Sequence, residues 1–200
     1  MDRRSAMLGL AAAVLTSGHA NAQLFRDLQS VPEPTTEEPA FGVYHGQGER
    51  ELGYEYRRQP VSYRTTEAPG TIIVDTSDRY LYLTQPNSRA LRYGIGVGRD
   101  GFTWSGIMRV TRKAEWPDWT PPAEMIRRQP YLPRWMAGGP GNPMGAAALY
   151  LGDTVYRIHG TNAPGTIGHA VSSGCFRLVN DDVADLYQRV PVGTKVIVQH

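Results

Sequence analysis

The chain has a single cysteine, no real excess of either charge, no apolar run long enough to cross a bilayer and no internal repeat. Each absence removes a class of answer. One thiol, Cys175, cannot build the disulfide framework of a small secreted scaffold. The 21 Lys and Arg against 19 Asp and Glu leave a net charge of +2. A phosphate-binding surface needs clustered cations to displace counterions. The pairs Arg57-Arg58 and Arg127-Arg128 stand alone, so nucleic acid is not an expected partner. The apolar stretch Ala6 to Leu15 falls short of the roughly 20 residues of a membrane helix.

What is present begins with an address. Arg3 and Arg4 precede the apolar stretch, and Ala20-Asn21-Ala22 follows it as a small-x-small site. Residues 1–22 therefore read as a signal peptide, which predicts export to the periplasm or cell envelope, with no membrane span in the mature form. Asp2 and Ser5 fit a twin-arginine signal poorly. Residues 23–69 read as an extended Pro/Gly-rich segment. Val31 to Pro39 is proline-rich and acidic, and Gly42 to Arg64 either docks on the domain or stays loose. Exported chains meet an oxidising compartment where cysteines normally pair. The lone Cys175 is then either an apolar filler or a nucleophile.

Residues 70–200 read as one domain. Thr71 to Asp75 and Arg79 to Thr84 are β-branched or aromatic and flank Ser77-Asp78, which predicts a hairpin. Ala90 to Val97, Ile107 to Ala114, Ala147 to Leu151, Thr154 to His159 and Thr194 to Gln199 read as further strands. A helix is expected with Asn180 as N-cap, Asp181 and Asp182 in its first turn, and Val183, Leu186, Tyr187 and Val190 on one face. Pro191 and Gly193 stop it. A shorter helix follows Pro121-Pro122 through about Gln129. The fold class is mainly β: a mixed β-sandwich or curled sheet with one or two short helices. Glu115 to Gly145 holds three of the four Trp and seven Pro, too irregular for strands. It reads as a lid or groove wall.

The chemistry concentrates between Tyr156 and Asn180. His159 ends a strand, and a Gly-rich excursion leads sixteen positions on to Cys175, behind Ser172-Ser173-Gly174. A thiol is mostly protonated at neutral pH and the thiolate is what attacks. An imidazole beside it takes the proton and forms a thiolate–imidazolium pair. Backbone N–H groups from Ser173 to Cys175 are candidate oxyanion donors. No Asp or Asn adjoins His159, so its orienting acceptor is expected to be the carbonyl of Gly160. Ser172 and Ser173 are expected to shape the turn.

His159-Gly160-Thr161-Asn162, Ile167-Gly168 and Ser172 to Leu178 (SSGCFRL) resemble the signature of the L,D-transpeptidase catalytic domain. The likeness runs over roughly residues 70–199 and includes Tyr93 to Gly98, Pro117 to Pro122, Gly141 to Gly145 and Gly193-Thr194. The resemblance implies a bacterial cell-wall enzyme of mainly β fold, with Cys175 as nucleophile, His159 as general base and Gly160 as its orienter. It implies Gly174 and Ser173 around the oxyanion, and Arg177, Thr161 and Asn162 as substrate-side residues. Peptidoglycan stem peptides are the implied substrates, with envelope proteins as further acyl acceptors, and no metal or organic cofactor is implied. The chain departs from the family pattern in two places. Ser173 stands where His is common, and Thr103-Trp104-Ser105-Gly106 replaces Thr-Pro-x-Gly, which is expected to loosen that turn.

Other readings compete with this one. Water in place of an amine acceptor gives an L,D-carboxypeptidase, and loss of activity leaves a wall-binding module. Zinc on His159, His169 and Cys175 has no common ligand spacing.

Overall fold

The computed structural model describes residues 52–200. The signal-peptide reading and the proline-rich stretch at Val31 to Pro39 lie outside the described residues. Eleven strands and two α-helices follow one another along the described residues. The strands are β1 (Gln59–Ser62), β2 (Ile72–Asp75), β3 (Tyr80–Gln85), β4 (Arg89–Gly94), β5 (Val97–Gly98), β6 (Gly106–Glu115), β7 (Ala147–Leu151), β8 (Arg157–His159), β9 (Ala170–Ser172), β10 (Phe176–Arg177) and β11 (Lys195–Gln199). The helices are α1 (Ala123–Arg128) and α2 (Asn180–Arg189). The main sheet runs β1-β4-β3-β2-β11-β6-β7-β8-β10, and β5 pairs with β9 separately.

The sheet curls on β6. Its first half pairs antiparallel with β11, from Gly106 to Arg109, and its second half with β7, from Val110 to Glu115. The register slips between Val110 and Arg112, and such an irregularity bends a strand and increases its twist. The two halves of the sheet then face each other across a core that includes Ile72, Leu81, Tyr93, Leu149, Ile158, Phe176 and Leu186. This is the curled, mainly β architecture that the alternating strand patterns predict.

Local chemistry explains the turns and the helix ends. In the β2–β3 hairpin the Asp75 carboxylate accepts the Asp78 N–H at 3.0 Å, an Asx-type turn. Lys113 reaches from β6 to the last carbonyls of α2, donating to Tyr187 O at 2.5 Å and Val190 O at 2.7 Å. A cation is favourable at that end of a helix. Asn180 does not cap α2 as the sequence suggests. Val179 holds the cap position and makes no side-chain bond there. The Asn180 amide oxygen instead accepts Ala146 N–H at 3.0 Å and Thr161 N–H at 3.2 Å. Two amides brought in by the fold outbid the helix's own N–H groups.

Strands shorter than the sequence pattern suggests surround the site. The run Ala90 to Val97 breaks into β4 and β5, because Gly96 leaves the hairpin to exchange both backbone bonds with Arg177, each 2.9 Å. The docking alternative holds for the end of the N-terminal segment: β1 pairs with β4, Val61 opposite Ala90. Leu52 packs with Ile167 and Val179, and Tyr56 against them, beneath the Gly-rich excursion that follows His159. Among the described residues no helix is long and apolar enough to cross a membrane.

Candidate active site

Strands β8 and β10 lie parallel, with Ile158 opposite Phe176 and His159 opposite Arg177. Side chains alternate faces along a strand. Ile158 and Phe176 are 0% and 1% exposed in the core. Arg157, His159, Cys175 and Arg177 must therefore share the opposite face, and all four line one pocket of about 310 Å³. Slipping either strand by one residue would send charge into the core and Ile or Phe into water. Burying those two side chains is worth roughly 1.5–3 kcal/mol each, so the same apolar pair that anchors the sheet fixes the register of the four polar ones.

His159 is almost wholly buried, and its Nδ1 sits 2.6 Å from the carbonyl oxygen of Gly160. A carbonyl can only accept, so Nδ1 carries the proton and Nε2 keeps the lone pair. Burial and the nearby Arg177 charge lower the pKa of His159 to about 3, against the carbonyls of Gly160 and Met144, which raise it. These effects favour the neutral imidazole, with its lone pair on Nε2. Gly160 is required because a Cβ there would stand 2.5 Å from the Asn180 amide oxygen and 3.1 Å from Gly145 Cα.

Cys175 is a free thiol whose sulfur lies 3.6 Å from Val155 O. Burial raises its pKa, opposed by the charges of Arg157 and Arg177 and by hydrogen bonds from Arg157. Cys175 and His159 line the same pocket, and burial, which pushes the thiol up and the imidazole down, favours a neutral pair over a thiolate–imidazolium pair. The arginines then stabilise the thiolate as it forms.

The loop before the thiol is pinned from within. Ser172 Oγ donates to Cys175 O at 2.6 Å and accepts from Gly174 N at 3.1 Å, so Ser172 shapes the turn. The Gly174 N–H thus has its acceptor within its own loop, in the Ser172 hydroxyl. Gly174 has φ +104°, and a Cβ there would meet Tyr156 Cε1 at 2.7 Å. Ser173 and Arg177 line the pocket. Thr161 and Asn162 do not. The Thr161 hydroxyl accepts Ala163 N–H at 3.0 Å, and the Asn162 amide donates to Gly141 O at 2.9 Å. Both knit the turn after His159, because the Gly160 bend carries the chain away from the pocket.

The remaining wall comes largely from the Glu115–Gly145 stretch, through Trp119, Pro122, Met125, Leu132 and Pro143 among others. Trp116 packs on the core, and Trp135 is exposed. Sequence reasoning passed over three arginines of the pocket, Arg99, Arg128 and Arg157. Arg157 had a signal: it stands two residues before His159 on one strand, hence on the same face. With Arg177 they give a pocket lined by four guanidinium groups and no carboxylate, a shape suited to an anionic ligand. His169 is exposed and unresolved in any metal-ligating group, since none is gathered among the described residues.

Arg157→Met should move the pH midpoint of Cys175 alkylation by iodoacetamide upward and slow alkylation several-fold at neutral pH. An unchanged profile would remove Arg157 from the account of the thiol.

Comparison with known proteins adds a second line. A family model, the L,D-transpeptidase catalytic domain, matches residues 69–198. The probable L,D-transpeptidase ErfK/SrfK of Escherichia coli strain K12 is 42% identical over 62% of this chain and 42% of its own length. The chain thus spans less than half of that relative. A crystal structure from Brucella melitensis, named a probable carnitine operon oxidoreductase, is 46% identical over 74% of this chain and 96% of that one, with a TM-score of 0.50. The catalytic domain of an Enterococcus faecium L,D-transpeptidase acylated by ertapenem is 18% identical, covering 68% of this chain and 100% of that one with a TM-score of 0.51; that likeness is one of fold. The Brucella protein's name points to redox chemistry. Here Gly96 to Gly101 does spell G-x-G-x-x-G, but it runs from β5 into a turn ahead of β6. It lacks the helix N-terminus that receives a pyrophosphate in a dinucleotide site.

Proposed function

The chain belongs to the L,D-transpeptidase catalytic-domain family, and from that premise we propose that it is an exported enzyme that rejoins peptidoglycan stem peptides through a thioester on Cys175. One observation carries the reading: the parallel pairing of β8 and β10, which gathers Cys175, His159, Arg157 and Arg177 on one face of one pocket. Each has a task the chemistry needs.

In this reading Cys175 Sγ adds to the carbonyl carbon of the amide between the third residue and the terminal D-residue of a stem tetrapeptide. His159 Nε2 takes the thiol proton in the same step, since the resting pair is neutral. The carbonyl oxygen becomes an oxyanion facing the N–H of Cys175. The C–N bond then breaks, His159 returns the proton to the leaving amine, and a thioester remains. An amine of a second stem peptide, or of an envelope protein, attacks the thioester and frees the thiol. Gly160 holds the imidazole throughout by its carbonyl. Arg177, beside the nucleophile and the base, and the other three arginines of the pocket suit a donor peptide that carries carboxylates.

Purified full-length protein incubated with a disaccharide-tetrapeptide, followed by mass spectrometry, tests this. A dimer joined through third residues, with loss of the terminal D-residue, is the expected product. Accumulation of tripeptide would make water the acceptor and the enzyme an L,D-carboxypeptidase. Unchanged tetrapeptide would overturn the activity and leave a wall-binding module.

A further inference from the structure

The indole of Trp104 is half-buried, with its Nε1–H donating to the carbonyl oxygen of Gly174 at 2.9 Å. It stacks on Tyr156 with ring centroids 4.4 Å apart and planes 17° apart, and leans on Phe176 at 5.5 Å. Tyr156 in turn lies where a Cβ on Gly174 would stand. Trp104 does not line the pocket; Cys175 does. The indole therefore grips the peptide that precedes the nucleophile from the core side.

That grip has a direction. None of the described peptide bonds is cis, and in a planar trans peptide the C=O and the following N–H point opposite ways. Fixing the Gly174 carbonyl toward Trp104 fixes the Cys175 N–H away from it, toward the pocket. Among the described residues no hydrogen bond takes that N–H. The neighbouring candidate is already spent, because Gly174 N–H donates to Ser172 Oγ. The carbonyl on the far side of Cys175 is held by the same Ser172 hydroxyl. The peptide ahead of the sulfur has one side-chain anchor, and it is Trp104.

We propose that Trp104 is a positioning residue for the reaction: its indole N–H, by holding the Gly174 carbonyl, aims the Cys175 N–H at the oxyanion. This rests on the reading of Cys175 as the acylated nucleophile. It also turns the family departure at Thr103-Trp104-Ser105-Gly106 around. The sequence suggests a loosened turn where Pro is missing, whereas the indole that stands there ties the turn to the nucleophile's own backbone. A donor aimed before the reaction costs no reorganisation when charge develops.

Two reactions of the same thiol separate aim from mere structure. Ertapenem opens its β-lactam by addition of Cys175 Sγ to the ring carbonyl; the C–N bond breaks, the thiol proton goes to the ring nitrogen, and an oxyanion forms on the way. Iodoacetamide is displaced at carbon with loss of iodide and forms no oxyanion. Trp104→Phe keeps an aromatic stack but removes the N–H. Its acylation by ertapenem, followed by intact mass, should fall by about tenfold or more, toward the 10²–10³ that loss of a whole oxyanion donor costs. Its alkylation by iodoacetamide should keep the wild-type rate. Unchanged acylation, or acylation and alkylation falling together, would overturn the proposal. Should the Phe variant fail to fold, benzothienylalanine at position 104 keeps the bicyclic shape with sulfur in place of N–H, and wild-type acylation there would overturn it equally. A wild-type protein that takes no ertapenem adduct would instead sink the nucleophile reading itself.

Discussion

Cys175→Ala is expected to abolish tetrapeptide turnover and the ertapenem adduct while leaving the fold in place. The loss should exceed about 10⁴-fold, because a covalent route has no substitute once its nucleophile is gone. The fold should tolerate the change because the sulfur contributes little to it. Its approach to Val155 O is a long 3.6 Å, Arg157 bonds it from the pocket wall, and the backbone around it is held by Ser172 and Trp104 rather than by the thiol. The stability cost should be about 1 kcal/mol, ordinary for a small truncation. Intact-mass spectrometry and a thermal melt on one sample decide the matter. Residual turnover in a folded Cys175→Ala protein would require another nucleophile.

Much of this was legible before any coordinates, and the division follows the range of the interactions. The β-branched apolar run from Ile72 to Asp75 and the alternation from Lys195 to Gln199 announce themselves in any short window. His159 and Cys175, which the structure brings to one pocket, stand out in the sequence as candidates for a related reason. A strand-ending His, a Gly-rich return and a lone thiol are each local features. The strands β1, β5, β9 and β10 were not legible, because two to four residues carry no period. They exist only through partners far along the chain, such as Gly96 for Arg177 and Ala90 for Val61. Asn180 misled for the same reason. Its sequence context is that of a cap, and its side chain is claimed by amides that arrive from Ala146 and Thr161. Trp104 looked like the loss of a proline because its bond to Gly174 spans seventy residues.

His159→Gln should cost about 10²–10⁴ in acylation rate, the usual price of a lost general base, and should also change how the protein responds to acid. In the wild type burial and the Arg177 charge hold the imidazole pKa down to about 3, below its ordinary 6.5. The base therefore stays unprotonated through mild acid, and the acylation rate should show no inflection near pH 6.5. Stability behaves differently. Between pH 6.5 and about 3 the unfolded chain binds a proton on this histidine that the folded chain refuses. Stability thus rises with pH across that window, by up to about 1.4 kcal/mol per unit, and is lost as the pH falls through it. Asp185, held below its ordinary 3.8 by its bonds to Arg189 and Tyr93 against the opposing effect of burial, adds acid sensitivity only toward the bottom of that range. Glutamine carries no titrating proton, so the variant should melt with a flatter profile between about pH 6.5 and pH 4. Wild-type and variant melts that lose stability in parallel over that interval would mean the imidazole is solvated and charged. Its place as a neutral base poised by Gly160 would then be lost.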